Sequence, residues 1–100
     1  MLKHIVFIKL KNTFSKIEKT ELIGKIDSML NDLPNSIDVI QHLETGINIS
    51  TRPSAFDLSL CVDLNDFEDL EEYRIHPKHK LVLEFLAQLN IETAVVDYIK

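Results

Sequence analysis

Apolar residues recur along this chain with two different periods, and the switches between them mark its elements. Residues 2–11, LKHIVFIKLK, are rich in β-branched and aromatic side chains and stop at polar Asn12 and Thr13, which predicts a strand. Ser15 and Glu18 follow at capping-box spacing, where each side chain satisfies an amide that the first helical turn leaves unpaired. Behind them Leu22, Ile23, Ile26, Met29, Leu30 and Leu33 recur at helical spacing until Pro34 and Asn35 stop the run. A second strand is expected from Ile37 to Thr45, with Val39, Gln41, Leu43 and Thr45 on one face. Gly46 and the polar stretch from Asn48 to Ser54 then read as a loop.

Phe56, Leu58, Leu60, Val62 and Leu64 alternate with Asp57, Ser59, Cys61 and Asp63, the pattern of a half-buried strand. Asp66 opens a short helical segment, DFEDLEEYR, with acids suited to a helix N-terminus. Pro77 fits the first position of a further helix, since its missing amide would be unpaired there anyway. In that helix His79, Val82, Leu83 and Leu86 share a face that Leu81, Phe85 and Leu89 widen. The closing IETAVVDYI predicts a fourth strand. The order is that of an α+β, ferredoxin-like βαββαβ protomer with an extra short helix: a four-stranded antiparallel sheet with helices on one face. No linker or repeat interrupts it, so residues 1–100 read as one domain.

In that fold one sheet face stays open, and the pattern says what should cover it. The first strand is apolar on both sides, with Val6, Ile8 and Leu10 on one and Ile5 and Phe7 on the other. The last strand repeats this, with Ala94, Val96 and Tyr98 opposite Ile91, Val95 and Ile99. Only the third strand has a mostly polar second face. An uncovered apolar patch marks an interaction surface, and a second copy in two-fold symmetry is its simplest cover, so a homodimer is expected.

Charge and cysteine usage narrow the partners. Eleven Lys and Arg against sixteen Asp and Glu give a net charge of −5, a balance unsuited to nucleic acid or an anionic membrane surface. No apolar run approaches the roughly 20 residues of a membrane helix. The single cysteine forms no intrachain disulfide, and Cys61 lies mid-strand between Asp57 and Asp63, where a thiol is not activated. A cytoplasmic location is the expectation. There is no glycine-rich phosphate loop, GxSxG or CxxC, and no cofactor or metal is implied; His76 and His79 at i,i+3 lack an obvious third ligand.

The densest polar cluster is Tyr73-Arg74-Ile75-His76-Pro77-Lys78-His79, two imidazoles and a phenol around a helix start. There the positive end of the helix dipole and burial both disfavour an imidazolium, so His79 is expected to be neutral and able to accept a proton. A nearby phenol can polarise a carbonyl or return the proton. Two readings stay open on these residues alone. Either His79 and Tyr73 form an acid–base pair with His76 beside them, or His76 caps the helix, His79 packs on the core and Tyr73 buries its ring. His4 shares the helix-facing side of the first strand with Val6, Ile8 and Leu10 and could line one cavity with His79. His42 belongs to the open side.

HIVFIKLK at the start, FDLSLCVDLNDFEDLEEYRIHPKH in the middle and VVDY at the end together resemble the stress-responsive A/B barrel, or Dabb, family. The shared motif is Y-x-x-H-P-x-H, here Tyr73, His76, Pro77 and His79. The resemblance implies a dimeric α+β barrel, in agreement with the patterning. A plant polyketide cyclase of that family works by aldol condensation with the tyrosine and final histidine of this motif. By resemblance His79 would be the general base and Tyr73 the group that polarises a carbonyl. His4 matches a cavity-lining histidine, and Asp97 an aspartate that could orient the catalytic one. Where the cyclase places aromatic residues around its tunnel, this chain has Thr20-Glu21-Leu22-Ile23-Gly24, so a small ligand is expected rather than a long polyketide tail.

Overall fold

The computed structural model describes residues 1–11 and 13–100, and the capping box at Ser15 is formed in it. The Glu18 amide donates to Ser15 Oγ at 3.1 Å and the Ser15 amide to Glu18 Oε1 at 2.8 Å, which starts α1 (Lys16–Asp32). Ahead of it runs β1 (Leu2–Leu10); Asn12, expected at its polar boundary, lies outside the described residues. Pro34 ends α1 as expected, through a short 3₁₀ turn at Leu33–Asn35.

The second strand departs from expectation. It spans His42–Ile47 (β2), not Ile37–Thr45. The amides of Ser36 and Ile37 both turn back to the Leu33 carbonyl at 3.0 Å, and the Gln41 amide is the first of this segment to reach across, to the Asp63 carbonyl. Ile37 is therefore buried in a turn over the core, and an apolar run that reads as strand serves as a plug. Gly46, expected in the loop, sits in β2 opposite Ser59, where a Cβ would come within 2.9 Å of Ser59 Oγ.

The rest follows as β3 (Leu58–Leu64), α2 (Phe67–Ile75, capped by Asp66), α3 (Pro77–Ala87) and β4 (Ile91–Ile99). Phe56 falls before β3, and its ring lies 6.0 Å from Phe7, toward the open side rather than the buried face. The sheet order is β2-β3-β1-β4, antiparallel throughout, as the ferredoxin-like reading requires. Leu2, Ile8 and Leu10 of β1 and Leu58, Leu60, Val62 and Leu64 of β3 meet Ile26, Leu30, Leu70, Tyr73, Val82 and Leu86 of the helices in one core. No helix among the described residues is long and apolar enough to cross a membrane.

Two surfaces of the sheet stay uncovered. The face away from the helices carries Ile5 and Phe7 of β1 beside Val96 and Ala94 of β4, bordered by the Lys3–Asp63 ion pair at 2.8 Å and by His42. The helical layer also stops short of β4, so Val95, on its helix-facing side, is as exposed as Val96 behind it, 54% against 56%.

Leu64, wholly buried at the β1–β3 pairing, tests the core. Leu64→Ala should cost about 3 kcal/mol through lost burial and the cavity left behind, whereas Ile49→Ala, at a position 98% exposed, should change stability by less than about 0.5 kcal/mol. Urea unfolding at one protein concentration measures both.

Candidate active site

The register of β1 against β4 sets His4 opposite Asp97, on the face toward the helices. The two side chains meet, with His4 Nδ1 2.5 Å from Asp97 Oδ1. A carboxylate only accepts, so Nδ1–H of His4 is the donor and the tautomer is fixed. His4 is 7% exposed and is the one buried polar residue of the described core; Asp97 supplies the partner that such a residue needs.

Tyr73 and His79 come from either side of a helix-to-helix turn. Tyr73 lies in the last full turn of α2, wholly buried, and His79 in the first turn of α3. Their ring centres are 4.5 Å apart, and the His4 ring stands edge-on to Tyr73 at 5.6 Å, so the phenol touches two imidazoles. The Tyr73 hydroxyl has no hydrogen-bond partner. Burial pushes that phenol well above its usual range, so it stays protonated at any ordinary pH.

His79 Nδ1 lies 3.0 Å from the Arg74 carbonyl. A carbonyl only accepts, so Nδ1 carries the proton and Nε2 keeps its lone pair in the neutral ring. Burial holds the His79 imidazole below the usual histidine range, against the opposing pull of the Arg74 carbonyl, and charge on His4, Arg74 or His76 would lower it further. Burial thus favours the neutral ring of His79.

These groups line one cavity of about 440 Å³ between α3 and the uncovered side of β4. His4, Tyr73, His79 and Asp97 stand on its wall, and Val6, Ile8, Leu30, Leu60, Val82, Leu83, Leu86 and Val95 make the rest of it largely aliphatic. Another hollow, about 540 Å³, opens on the far side of the sheet between Phe7, Ile47 and Phe56, and no titratable side chain lines it.

Two expectations need correction. His76 is outside the cavity: it is the residue between α2 and α3, and its Nδ1 accepts the Lys78 amide at 3.1 Å, the work of a helix cap. Asp97 orients His4 and not His79; the Arg74 backbone carbonyl does that for His79. Sequence reading also missed Thr93 and Val95, which reach the cavity because they face Ile8 and Val6 in the β1–β4 register. Counting back by twos from Asp97 would have found them.

A four-stranded ferredoxin-like protomer with an imidazole–phenol–imidazole pocket on its helical side defines the class of this protein. The chain belongs to the Stress responsive A/B Barrel Domain (Dabb) family, whose model matches residues 2–100. It is similar to the uncharacterized protein SCO4036 of Streptomyces coelicolor, 30% identical over 80% of each chain. Among solved structures it is similar to a dimeric, ferredoxin-like protein of unknown function from Bacteroides fragilis, at TM-score 0.90 and 28% identity over 99% of this chain and 95% of that one. A hydroxynitrile lyase from Passiflora edulis shares the fold at TM-score 0.80 and 17% identity, over 99% of this chain and 92% of the lyase.

The lowered His79 value has a consequence for stability. An unfolded His79 titrates near 6.5, above its folded midpoint, so between the two the unfolded chain binds the extra proton. The contribution of neutral His79 is therefore complete above pH 6.5 and is lost as pH falls through its folded midpoint. Urea midpoints measured from pH 7.5 down to 5 should decline, and His79→Gln should flatten that decline.

Proposed function

We propose that this chain acts as a homodimer in which each protomer holds a small carbonyl compound between sheet and helices and moves a proton on it without a cofactor. The observation that carries this reading is a neutral imidazole with a free Nε2 and an unpartnered phenol hydroxyl beside one apolar cavity. Nε2 of His79 takes a proton from the carbon next to the carbonyl, the C–H pair moves into the C–C bond and negative charge collects on oxygen. Tyr73 donates its O–H to that oxygen. A phenol held above its usual range donates without losing its proton, and the ligand satisfies a buried hydroxyl that otherwise costs about 1–3 kcal/mol. His4, held by Asp97, stands edge-on to the same phenol. The Passiflora enzyme named as a lyase is consistent with acid–base chemistry on this architecture.

A second reading, ligand binding without turnover, is favoured by one observation: the complete burial of Tyr73 in the empty protein. Exchange of the benzylic protons of phenylacetone with D₂O, followed by NMR, separates the two. His79→Ala should slow exchange by about 10²-fold or more. Tyr73→Phe should slow it by about 10²-fold while leaving stability unchanged or raised by about 1 kcal/mol, because the variant removes an orphaned hydroxyl. Exchange indifferent to both substitutions would leave only binding.

The dimer rests on the open face, where Phe7, Val96 and Tyr98 are 42%, 56% and 43% exposed on adjacent strands, and on the Bacteroides structure described as dimeric. Sedimentation should give the mass of two copies for the natural sequence and of one for Phe7→Asp.

A further inference from the structure

A guanidinium lines the cavity, and part of its hydrogen-bonding capacity is free. Among the described residues of the wall Arg74 is the only Lys or Arg, and its charge lies close enough to His79 to disfavour the protonated ring. The guanidinium is paired with Glu71, three residues back along α2. Both contacts, at 2.8 and 3.0 Å, come from one nitrogen, Nη1. That is not the side-on fork in which two guanidinium nitrogens grip two carboxylate oxygens. The edge formed by Nε and Nη2 has no partner among the described residues.

Glu71 is also a weak competitor. The pair is an i,i+3 contact on the helix surface with both side chains about half exposed, a kind of ion pair that solvent screening and side-chain freedom leave with little net stabilisation. Arg74 can therefore take a second carboxylate on its free edge, or exchange Glu71 for it, at little cost. Asp97, the carboxylate on the wall, is engaged by His4 and sits on β4. The net charge of −5 opposes an anion from a distance, but salt screens that field beyond about 10 Å, whereas the guanidinium acts in contact.

We propose that the cavity takes small oxo acids, with the carboxylate on the Nε–Nη2 edge of Arg74 and the carbonyl at the Tyr73 hydroxyl. This inference rests on the acid–base reading above for the carbonyl, whereas the carboxylate rests on Arg74. Arg74 then serves twice: its backbone carbonyl orients His79, and its side chain orients the ligand.

The test compares the phenylpyruvate anion with phenylacetone, which share a benzylic carbon beside a ketone and differ in a carboxylate against a methyl group. Binding is read from amide shifts of Thr93 and Val95 in ¹⁵N-labelled protein at pH 8, above the ordinary histidine value of about 6.5, so that a charged His79 does not attract the anion. Phenylpyruvate should bind at least about tenfold more tightly than phenylacetone. Arg74→Gln, which leaves the backbone carbonyl to His79, should remove that preference and change phenylacetone binding by less than about twofold. Arg74→Lys, which keeps the charge and loses the fork, should fall between the two. Equal or weaker binding of the anion, no binding of either compound, or a preference that survives Arg74→Gln overturns the proposal. Loss of both ligands together in Arg74→Gln also overturns it, since Arg74 would then be shaping the cavity. Exchange of the benzylic protons with D₂O is read separately. Preferred binding of phenylpyruvate without any protein-dependent exchange leaves the Arg74 assignment standing and removes the acid–base reading instead.

Discussion

β1 has to be buried on both faces, and most of the architecture follows from that requirement. It is a central strand, hydrogen-bonded to β3 on one side and β4 on the other, and it projects apolar side chains to both faces. Toward the helices, Leu2, Ile8 and Leu10 anchor the core. Toward the other side, Ile5 and Phe7 lie in the middle of a face that nothing in a single protomer covers. The same strand carries His4 into the helical layer at the point where that layer ends. Core and candidate site thus share one face of this nine-residue segment, and the candidate interface is the other.

The site is an example of like residues made unlike by what holds them. His4 and His79 touch one phenol, and each is held through Nδ1. One donates to a carboxylate, the other to a peptide carbonyl. A carboxylate and a peptide carbonyl thus hold two rings of the same kind by the same atom. Burial then decides for His79 in favour of the neutral ring. The phenol they touch is pushed the other way in its own chemistry, toward a permanent donor.

Much of the fold was legible in the sequence, for identifiable reasons. Ser15 with Glu18, Asp66 and Pro77 are local signals whose meaning does not depend on the rest of the chain, and each marks a helix start where expected. The two-residue alternation from Leu58 to Leu64 was equally direct. Ile37 to Ile40 misled because apolar residues that plug a core from a turn have the same composition as a strand; only the hydrogen bonds back to Leu33 distinguish them. At the candidate site, the closeness of Tyr73 and His79 was legible because they lie within one short motif. Asp97 was matched to the wrong histidine because its partner is ninety-three residues away, and strand register, not spacing, brings them together. His76 was included because proximity in sequence does not tell a side chain that caps a helix from one that faces a cavity.

His76 closes α2 and opens α3, so one residue joins the helix that ends near Tyr73 to the helix that begins near His79. The carbonyl that orients His79 comes from the same stretch. Tyr73 and His79 thereby lie within one stretch of seven consecutive residues whose internal length cannot drift: one inserted residue would rotate His79 by about 100° around its helix and strip it of the Arg74 carbonyl. The walls are another matter, since Leu83, Leu86, Thr93 and Val95 come from later elements and can change one at a time. Such a division lets what fits inside change while the pairing of Tyr73 with His79 stays intact.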